Sequence, residues 1–383
     1  MGSRSWKPRR LLVAAAVALT VAVSLILGGC SEAKNNGQNS LQPKGHDAQK
    51  IDNLFWPILI IASVIGIAVI IATVYFALKF RFRTGKNDNP KQIHGNTRLE
   101  IGWTIVPALL LAVVAVPTIS TIFDLADQSS PSALEVTVVG KQWWWQFQYT
   151  DAKVVTADEL VIPANRPVFV KLTACAESIG GCNVIHSFWV PELAGKKDVV
   201  PGHDNTLTIE ADKPGTYLGQ CAEYCGLSHA NMRFRVIAKS ADDFDTWLSE
   251  QQQGPAQPVT TNNSSGQQVP ANNAADLMIN TFGCAGCHQL EDSSQASYGP
   301  NLTHLASRTV FASGAYKLNR QNLIDWLLDA PKMIPMESQD CRLPPGQGVC
   351  VGMPSFTTNT PKGQPVMTHD QAAEIADFLL GQT

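Results

Sequence analysis

The chain has 383 residues, 45% of them hydrophobic, and a formal net charge of -3. That length allows two or three domains, while so small a charge says little about partners, and no nucleic-acid partner is expected. Nine cysteines, several in close pairs, argue against a reduced cytosolic protein without metals and point to an oxidising compartment.

At the N-terminus, Arg4, Lys7, Arg9 and Arg10 precede an apolar run over 11–29 that ends in Leu27-Gly28-Gly29-Cys30. A basic head, an apolar middle and small residues before a cleavage point form a secretory signal over 1–29. The cysteine directly after the small residues resembles a bacterial lipoprotein processing site, so Cys30 is expected to carry lipid. A retained signal anchor is the alternative. Residues 30–50 are polar and read as a tether. Two further apolar runs, 55–78 and 101–123, are each about long enough to cross a bilayer, which makes 51–128 a transmembrane helix hairpin. Between them lie Lys79, Arg81, Arg83, Lys86, Lys91 and Arg98 against Asp88 and Glu100. A short basic loop belongs on the cytoplasmic side, so everything after the hairpin lies outside the cytoplasm.

Residues 129–249 change character. Short β-rich runs at 134–139, 160–162, 168–172, 206–209 and 233–238 alternate with turn signals such as Pro163-Ala164-Asn165, Pro201-Gly202 and Lys213-Pro214-Gly215. This spacing predicts a β-sandwich or barrel. Residues 250–272, rich in Gln, Asn, Ser and Gly, read as a flexible linker. From 273 to 383 the pattern is helical. Asn319 opens one helix, and Thr368 opens another with Gln371 placed for a capping box. There is no internal repeat.

Cys221, Cys225, His229 and Met232 fall within twelve residues, and His186 lies thirty-five residues before Cys221. Thiolates, imidazoles and a weak thioether suit copper. A single-copper site uses one cysteine, so two bridging thiolates imply two copper ions. His186 and His229 would each cap one ion, Met232 would bind weakly, and the Glu223 carbonyl is placed to fill the remaining position. A Cys221–Cys225 disulfide and a zinc site are the rivals.

Cys284-Ala285-Gly286-Cys287-His288 is the attachment signature of a c-type haem. Cys284 and Cys287 would form thioethers, and His288 would be the proximal iron ligand. Met333, Met336, Met353 and Met367 are candidates for the sixth ligand. Cys175 and Cys182 are expected as one local disulfide, and Cys341 and Cys350 as another. His46, His94, His203, His304 and His369 have no ligand partners at useful spacing and are expected at surface or turn positions.

Several segments together resemble subunit II of the haem-copper cytochrome c oxidases over residues 50–240. They are Glu100-Ile101-Gly102-Trp103-Thr104-Ile105-Val106-Pro107, Gly140-Lys141-Gln142-Trp143-Trp144-Trp145-Gln146-Phe147, His186-Ser187-Phe188-Trp189-Val190-Pro191, Pro214-Gly215-Thr216-Tyr217 and Gly219-Gln220-Cys221-Ala222-Glu223-Tyr224-Cys225-Gly226. The resemblance implies an all-β cupredoxin-like sandwich outside the membrane, anchored by two helices to a catalytic subunit. It implies His186, Cys221, Glu223 through its carbonyl, Cys225, His229 and Met232 as ligands of a dinuclear copper centre. The Glu223 carboxylate would also reach a magnesium ion at the subunit I interface. Trp143 would receive electrons from cytochrome c, with Trp144 and Trp145 either sharing that role or packing the sandwich. Glu100 matches a glutamate at the mouth of a proton channel shared with subunit I.

The C-terminal segment resembles the class I cytochromes c, an all-α domain, and the fusion resembles the caa-type branch of the oxidases. Met353, in Gly352-Met353-Pro354-Ser355-Phe356, matches the Met-Pro segment that delivers the sixth ligand; Met336 also follows a proline. The implied partners are oxidase subunits I and III and a cytochrome c or another respiratory complex as donor, all at a bacterial cell membrane. The alternative is a membrane-bound electron-carrier lipoprotein outside any oxidase.

Overall fold

The computed structural model describes residues 37–81, 94–126, 132–174, 184–294, 298–336, 352–357 and 365–383. The leader with Cys30, and Cys175, Cys182, Cys341 and Cys350, lie outside the described residues.

Two long helices come first, α1 (His46–Lys79) and α2 (Thr97–Ala126). Both are apolar on every side, with Ile70 63% and Leu111 69% exposed, the pattern of a helix whose surroundings are not water. Pro57, Pro107 and Pro117 sit inside them, as lipid-embedded helices tolerate. At about 1.5 Å per residue α1 reaches about 50 Å, well beyond a bilayer core of about 30 Å. Its first turn therefore belongs to the folded domain. The Ala48 N–H donates to Leu193 O at 3.1 Å, Lys44 N–H to Glu192 O at 2.8 Å, and Asp212 N–H to Lys44 O at 3.0 Å. The expected tether thus ends by Lys44, which packs on the sandwich, and the helix starts at His46 rather than 51.

The middle of the chain is a sandwich of two five-stranded sheets. The first has the order β3 (Val154–Ala157), β2 (Trp144–Tyr149), β1 (Leu134–Lys141), β5 (Val168–Ala174), β8 (Asn205–Ile209). The second runs β4 (Glu159–Pro163), β10 (Arg233–Lys239), β9 (Gly215–Cys221), β6 (His186–Trp189), β7 (Lys197–Val199). In β5, buried Val168, Val170 and Leu172 alternate with the more exposed Phe169 and Lys171, which is the period of two expected of a half-buried strand. Phe188 and Phe234 stack at 4.6 Å in the centre, with Trp145 edge-on to Phe188 at 5.6 Å. Tyr149 ties the sheets together: its hydroxyl donates to Val161 O at 2.7 Å and accepts from Val161 N–H at 2.9 Å. The architecture is cupredoxin-like.

Helix α3 (Ala241–Gln251), capped by the Ser240 side chain, leads out of the sandwich. The stretch 250–272 then departs from the expected flexible linker. It forms a hairpin, β11 (Thr260–Asn262) with β12 (Gln268–Pro270), and buries Val259 to 2% exposure in the C-terminal core. Its polar composition hides this, because one apolar side chain and backbone hydrogen bonds do the anchoring. The C-terminal unit packs α4 (Asn273–Asp276), α5 (Arg320–Met333) and α6 (His369–Leu379) around Phe282, Leu323, Ile324, Ile375 and Phe378. Asn319 caps α5, and Thr368 with Gln371 forms the capping box of α6. A short hairpin, β13 (Val310–Phe311) with β14 (Tyr316–Lys317), projects from this unit onto the sandwich. His304 is buried rather than at the surface, with Nδ1 2.8 Å from Thr383 O and Nε2 3.0 Å from Gln253 O.

Candidate metal centre

One end of the sandwich gathers six donor groups from three places in the chain. His186 opens β6, Cys221 closes β9, and the loop between β9 and β10 carries Glu223, Cys225, His229 and Met232. The loop is fixed at both ends. Cys221 N–H donates to Met232 O at 2.9 Å, and Ala222 N–H donates to Ser187 O at 2.9 Å. Gly226, at φ +110, supplies the left-handed turn that brings Cys225 inward.

The sulfurs of Cys221 and Cys225 lie 3.8 Å apart, nearly twice a disulfide bond of about 2.05 Å, and both are free thiols. The disulfide rival is thereby excluded. His186 Nδ1 is 3.8 Å from the Cys221 sulfur, and Glu223 O is 3.2 Å from it. His229 Nδ1 is 3.6 Å and Met232 Sδ 3.8 Å from the Cys225 sulfur. His186, Cys221, Cys225 and Met232 are at most 5% exposed. Proton sharing with Cys225 holds the Cys221 thiol well below its ordinary range, despite the opposing effect of burial. A thiolate is the form a metal takes.

The donor set fits copper: two thiolates and a thioether are soft, two imidazoles are intermediate, and a single carbonyl is the one hard donor. A metal–thiolate bond of about 2.3 Å lets one ion bridge sulfurs at this separation. The buried thioether disfavours zinc.

The three tryptophans divide their work. Trp143 Nε1–H donates to Cys225 O at 3.0 Å, and Gln142 Nε2 donates to the same oxygen at 2.8 Å. Trp145 lies fully in the core, edge-on to His186 with ring centres 5.9 Å apart. Trp144 carries Lys141 Nζ over its ring at 4.7 Å. Burial pushes the Lys141 ammonium down to about 8, and its Nζ donates to Gln146 Oε1 at 3.0 Å. Gln142 and Lys141 were not singled out in the sequence, although they adjoin the tryptophan run. Glu100 stands in the first turn of α2, with the Glu223 side chain exposed elsewhere at the tip of the metal loop.

A second cluster lies across an apolar cleft from Trp143. Cys284 and Cys287 flank a single 3-10 turn, and His288 Nδ1 is 2.7 Å from Pro300 O, which leaves Nε2 as the free ring nitrogen. Gly299 makes room for this ring, since a Cβ there would lie 2.6 Å from it. Met278, Leu323, Leu327, Ile375 and Phe356 line the cleft, and Met336 and Met353 join them. The Met353 N–H donates to the Met336 sulfur at 3.2 Å, so the two candidate thioether residues are neighbours. Paired thiols, an oriented imidazole and a thioether around an apolar slot fit a c-type haem.

The sequence matches two family models: cytochrome c oxidase subunit II, periplasmic domain, over residues 159–239, and cytochrome c oxidase subunit II, transmembrane domain, over residues 30–121. It is 37% identical to cytochrome c oxidase subunit 2 of Alkalihalophilus pseudofirmus, covering 80% of this chain and 85% of the relative. It is 30% identical to the protein of the same name in Bacillus subtilis, covering 83% and 89%. Among solved structures, the periplasmic domain of subunit II of cytochrome oxidase from Bradyrhizobium japonicum is 29% identical. That match covers 31% of this chain and 94% of that one, with a TM-score of 0.29. Two spanning-length helices, a cupredoxin-like sandwich with its donor set, and relatives of this extent lead to one conclusion: the chain belongs to the cytochrome c oxidase subunit II family.

Proposed function

We propose that this chain is the electron-accepting subunit of a respiratory cytochrome c oxidase of the caa type. The observation that carries the reading is the convergence of six donors on the Cys221 and Cys225 sulfurs. When bound, a dinuclear copper centre and a covalent haem c supply one-electron transfer from a donor to the haem-copper subunit I, where oxygen is reduced and protons are translocated. His186, Cys221, Cys225, His229, Met232 and the Glu223 carbonyl hold the copper ions. Cys284, Cys287 and His288 would hold the haem, together with Met353. The sandwich excludes water from the thiolates and keeps the ligands in one geometry.

Trp143 joins the two sites, because its indole lines the cleft and its Nε1–H reaches the Cys225 carbonyl. The exposed Glu223 carboxylate is free to meet a magnesium ion shared with subunit I, and Glu100 serves the mouth of a proton channel. The basic stretch between α1 and α2 supports a position of the sandwich and the C-terminal unit on the extracytoplasmic face of a bacterial cell membrane. A signal peptide, a lipid on Cys30 and the disulfides Cys175–Cys182 and Cys341–Cys350 complete the reading.

Elemental and optical analysis of the purified chain tests it. Two coppers and one covalent haem per chain are expected; a copper content of one, or none after copper loading, would sink the proposal. A finer test is Gly140→Ala. A Cβ at Gly140 would lie 2.9 Å from the His186 ring, so the ring must shift from its present place beside Cys221. Copper affinity is expected to fall by about ten- to a hundredfold, as when a ligand loses its orientation. Copper titration against a competing chelator measures this.

A further inference from the structure

The C-terminal unit meets the sandwich through a built socket. Asp158 occupies the corner between β3 and β4 at φ +61, a left-handed conformation that aspartate tolerates better than most residues. Its Oδ1 accepts from Trp145 N–H at 3.0 Å inside the sandwich, and its Oδ2 accepts from Ser313 N–H at 3.0 Å in the C-terminal unit. The next residue, Glu159, is 4% exposed. Its Oε1 accepts from the N–H groups of Thr309 at 3.0 Å and Val310 at 3.1 Å, and from the Thr309 hydroxyl. Two adjacent carboxylates thus take backbone donors from residues about 150 positions away.

The plug is as specialised as the socket. Ala312, Ser313 and Gly314 form the tip of hairpin 310–317, and all three have positive φ, at 53, 59 and 70. Such a run is costly for alanine and serine and persists where surrounding contacts hold it. Here Ser313 O accepts from Arg233 N–H at 3.1 Å, and the Ser313 hydroxyl donates to Trp143 O. The tip therefore touches the backbone of Trp143 and of the residue after Met232. Burial pushes the Asp158 carboxyl up to about 7, against the N–H bonds and the nearby Arg308 charge that pull it down. Burying two carboxylates without donors is costly, and the hairpin brings donors to both.

We infer that hairpin 310–317 is a docking plug and the Asp158–Glu159 corner its socket, which together clamp the C-terminal unit over the Trp143 face and close that face to a diffusing donor protein. Asp158, Glu159 and Ser313 are then positioning residues. Trp143 is 5% exposed and lies against the cleft of the docked unit. The consequence for electron delivery rests on the proposed function: external electrons must arrive through the C-terminal unit, not at Trp143. The contacts of the clamp are made by protein groups alone, between Asp158, Glu159 and residues 309–313.

Amide hydrogen exchange on the full-length chain tests the clamp. In the unaltered chain the amides of Thr309, Val310 and Ser313 are expected to be protected. In Asp158→Asn/Glu159→Gln an amide nitrogen replaces one of the two accepting oxygens of Asp158 and the charge-assisted bonds of both residues are lost, so these amides should exchange at least about tenfold faster. Strand β5 and helices α5 and α6 should keep their protection. Gly314→Val, which alters only the strained tip, should give the same loss with both carboxylates intact. Unprotected hairpin amides in the unaltered chain, or protection unchanged in both variants, would overturn the clamp. Covalent haem is measured on the same samples: a haem-free chain with a protected hairpin refutes the haem assignment and leaves the clamp standing. Reduction of the copper centre by added soluble cytochrome c should quicken in the double variant; no change there would overturn the occlusion of Trp143.

Discussion

Cys225→Ser is expected to leave at most one copper per chain and to cut electron delivery to subunit I by more than about a hundredfold. Cys225 is the hub of the centre. Its sulfur lies 3.8 Å from Cys221, 3.6 Å from His229 and 3.8 Å from Met232, and its carbonyl takes the hydrogen bonds of Gln142 and Trp143. A serine oxygen is harder and sits on a shorter bond, so it cannot bridge two soft ions as a thiolate does. His186, Cys221 and Met232 would remain as donors for a single ion. The side chains are nearly isosteric and the site lies at one end of the sandwich, so the fold should survive. Copper per chain and the visible spectrum of the purified oxidase read the result; two coppers retained in Cys225→Ser would mean that the thiolates do not bridge.

The gathering of the six candidate donors was legible because five of them lie in one loop of twelve residues, and a loop pinned at both ends keeps sequence neighbours as spatial neighbours. His186 was found through its ligand chemistry, although its strand β6 was not foreseen. The same holds for β2: Trp144, Trp145, Gln146 and Phe147 are all buried, so the strand shows no alternation. The capping residues Asn319 and Thr368 were legible because a cap is a local device. Residues 250–272 look like a linker because their anchoring rests on one apolar side chain, Val259, and on hydrogen bonds such as those of Gln257 with Gln382 and Thr260 with Glu291, which polar composition does not reveal. Asp158 and Glu159 could not be read at all. A pair of carboxylates at a turn looks solvated, and their partners at 309–313 are brought to them only by the docking of two units.

Cys284→Ser/Cys287→Ser is expected to yield a chain without covalent haem, whose C-terminal unit is largely unfolded at moderate temperature while the sandwich still binds two coppers. The cleft gives the reason. Met278 and Phe282 come from the first helical segment, Leu323 and Leu327 from α5, and Ile375 and Leu379 from α6, and these apolar walls line an open cleft. Apolar surface left facing water forfeits about 25 cal/mol per Å² of burial, and a whole domain is stable by only about 5–15 kcal/mol. Helices α5 and α6 share one core in which Ile324 and Ala376 are buried, and the exposed Arg320–Asp377 pair adds little to it. A bound haem fills the space and turns the same walls into buried contact. Haem staining and the mass of the Cys284–Cys287 peptide measure attachment, and amide exchange of α5 and α6 measures folding. Full protection of both helices in the haem-free variant would mean that the cleft supports itself and that haem is not its filling. Loss of copper alongside haem would mean that the docked unit holds the metal loop in place, through the contact of Ser313 with Arg233 next to Met232.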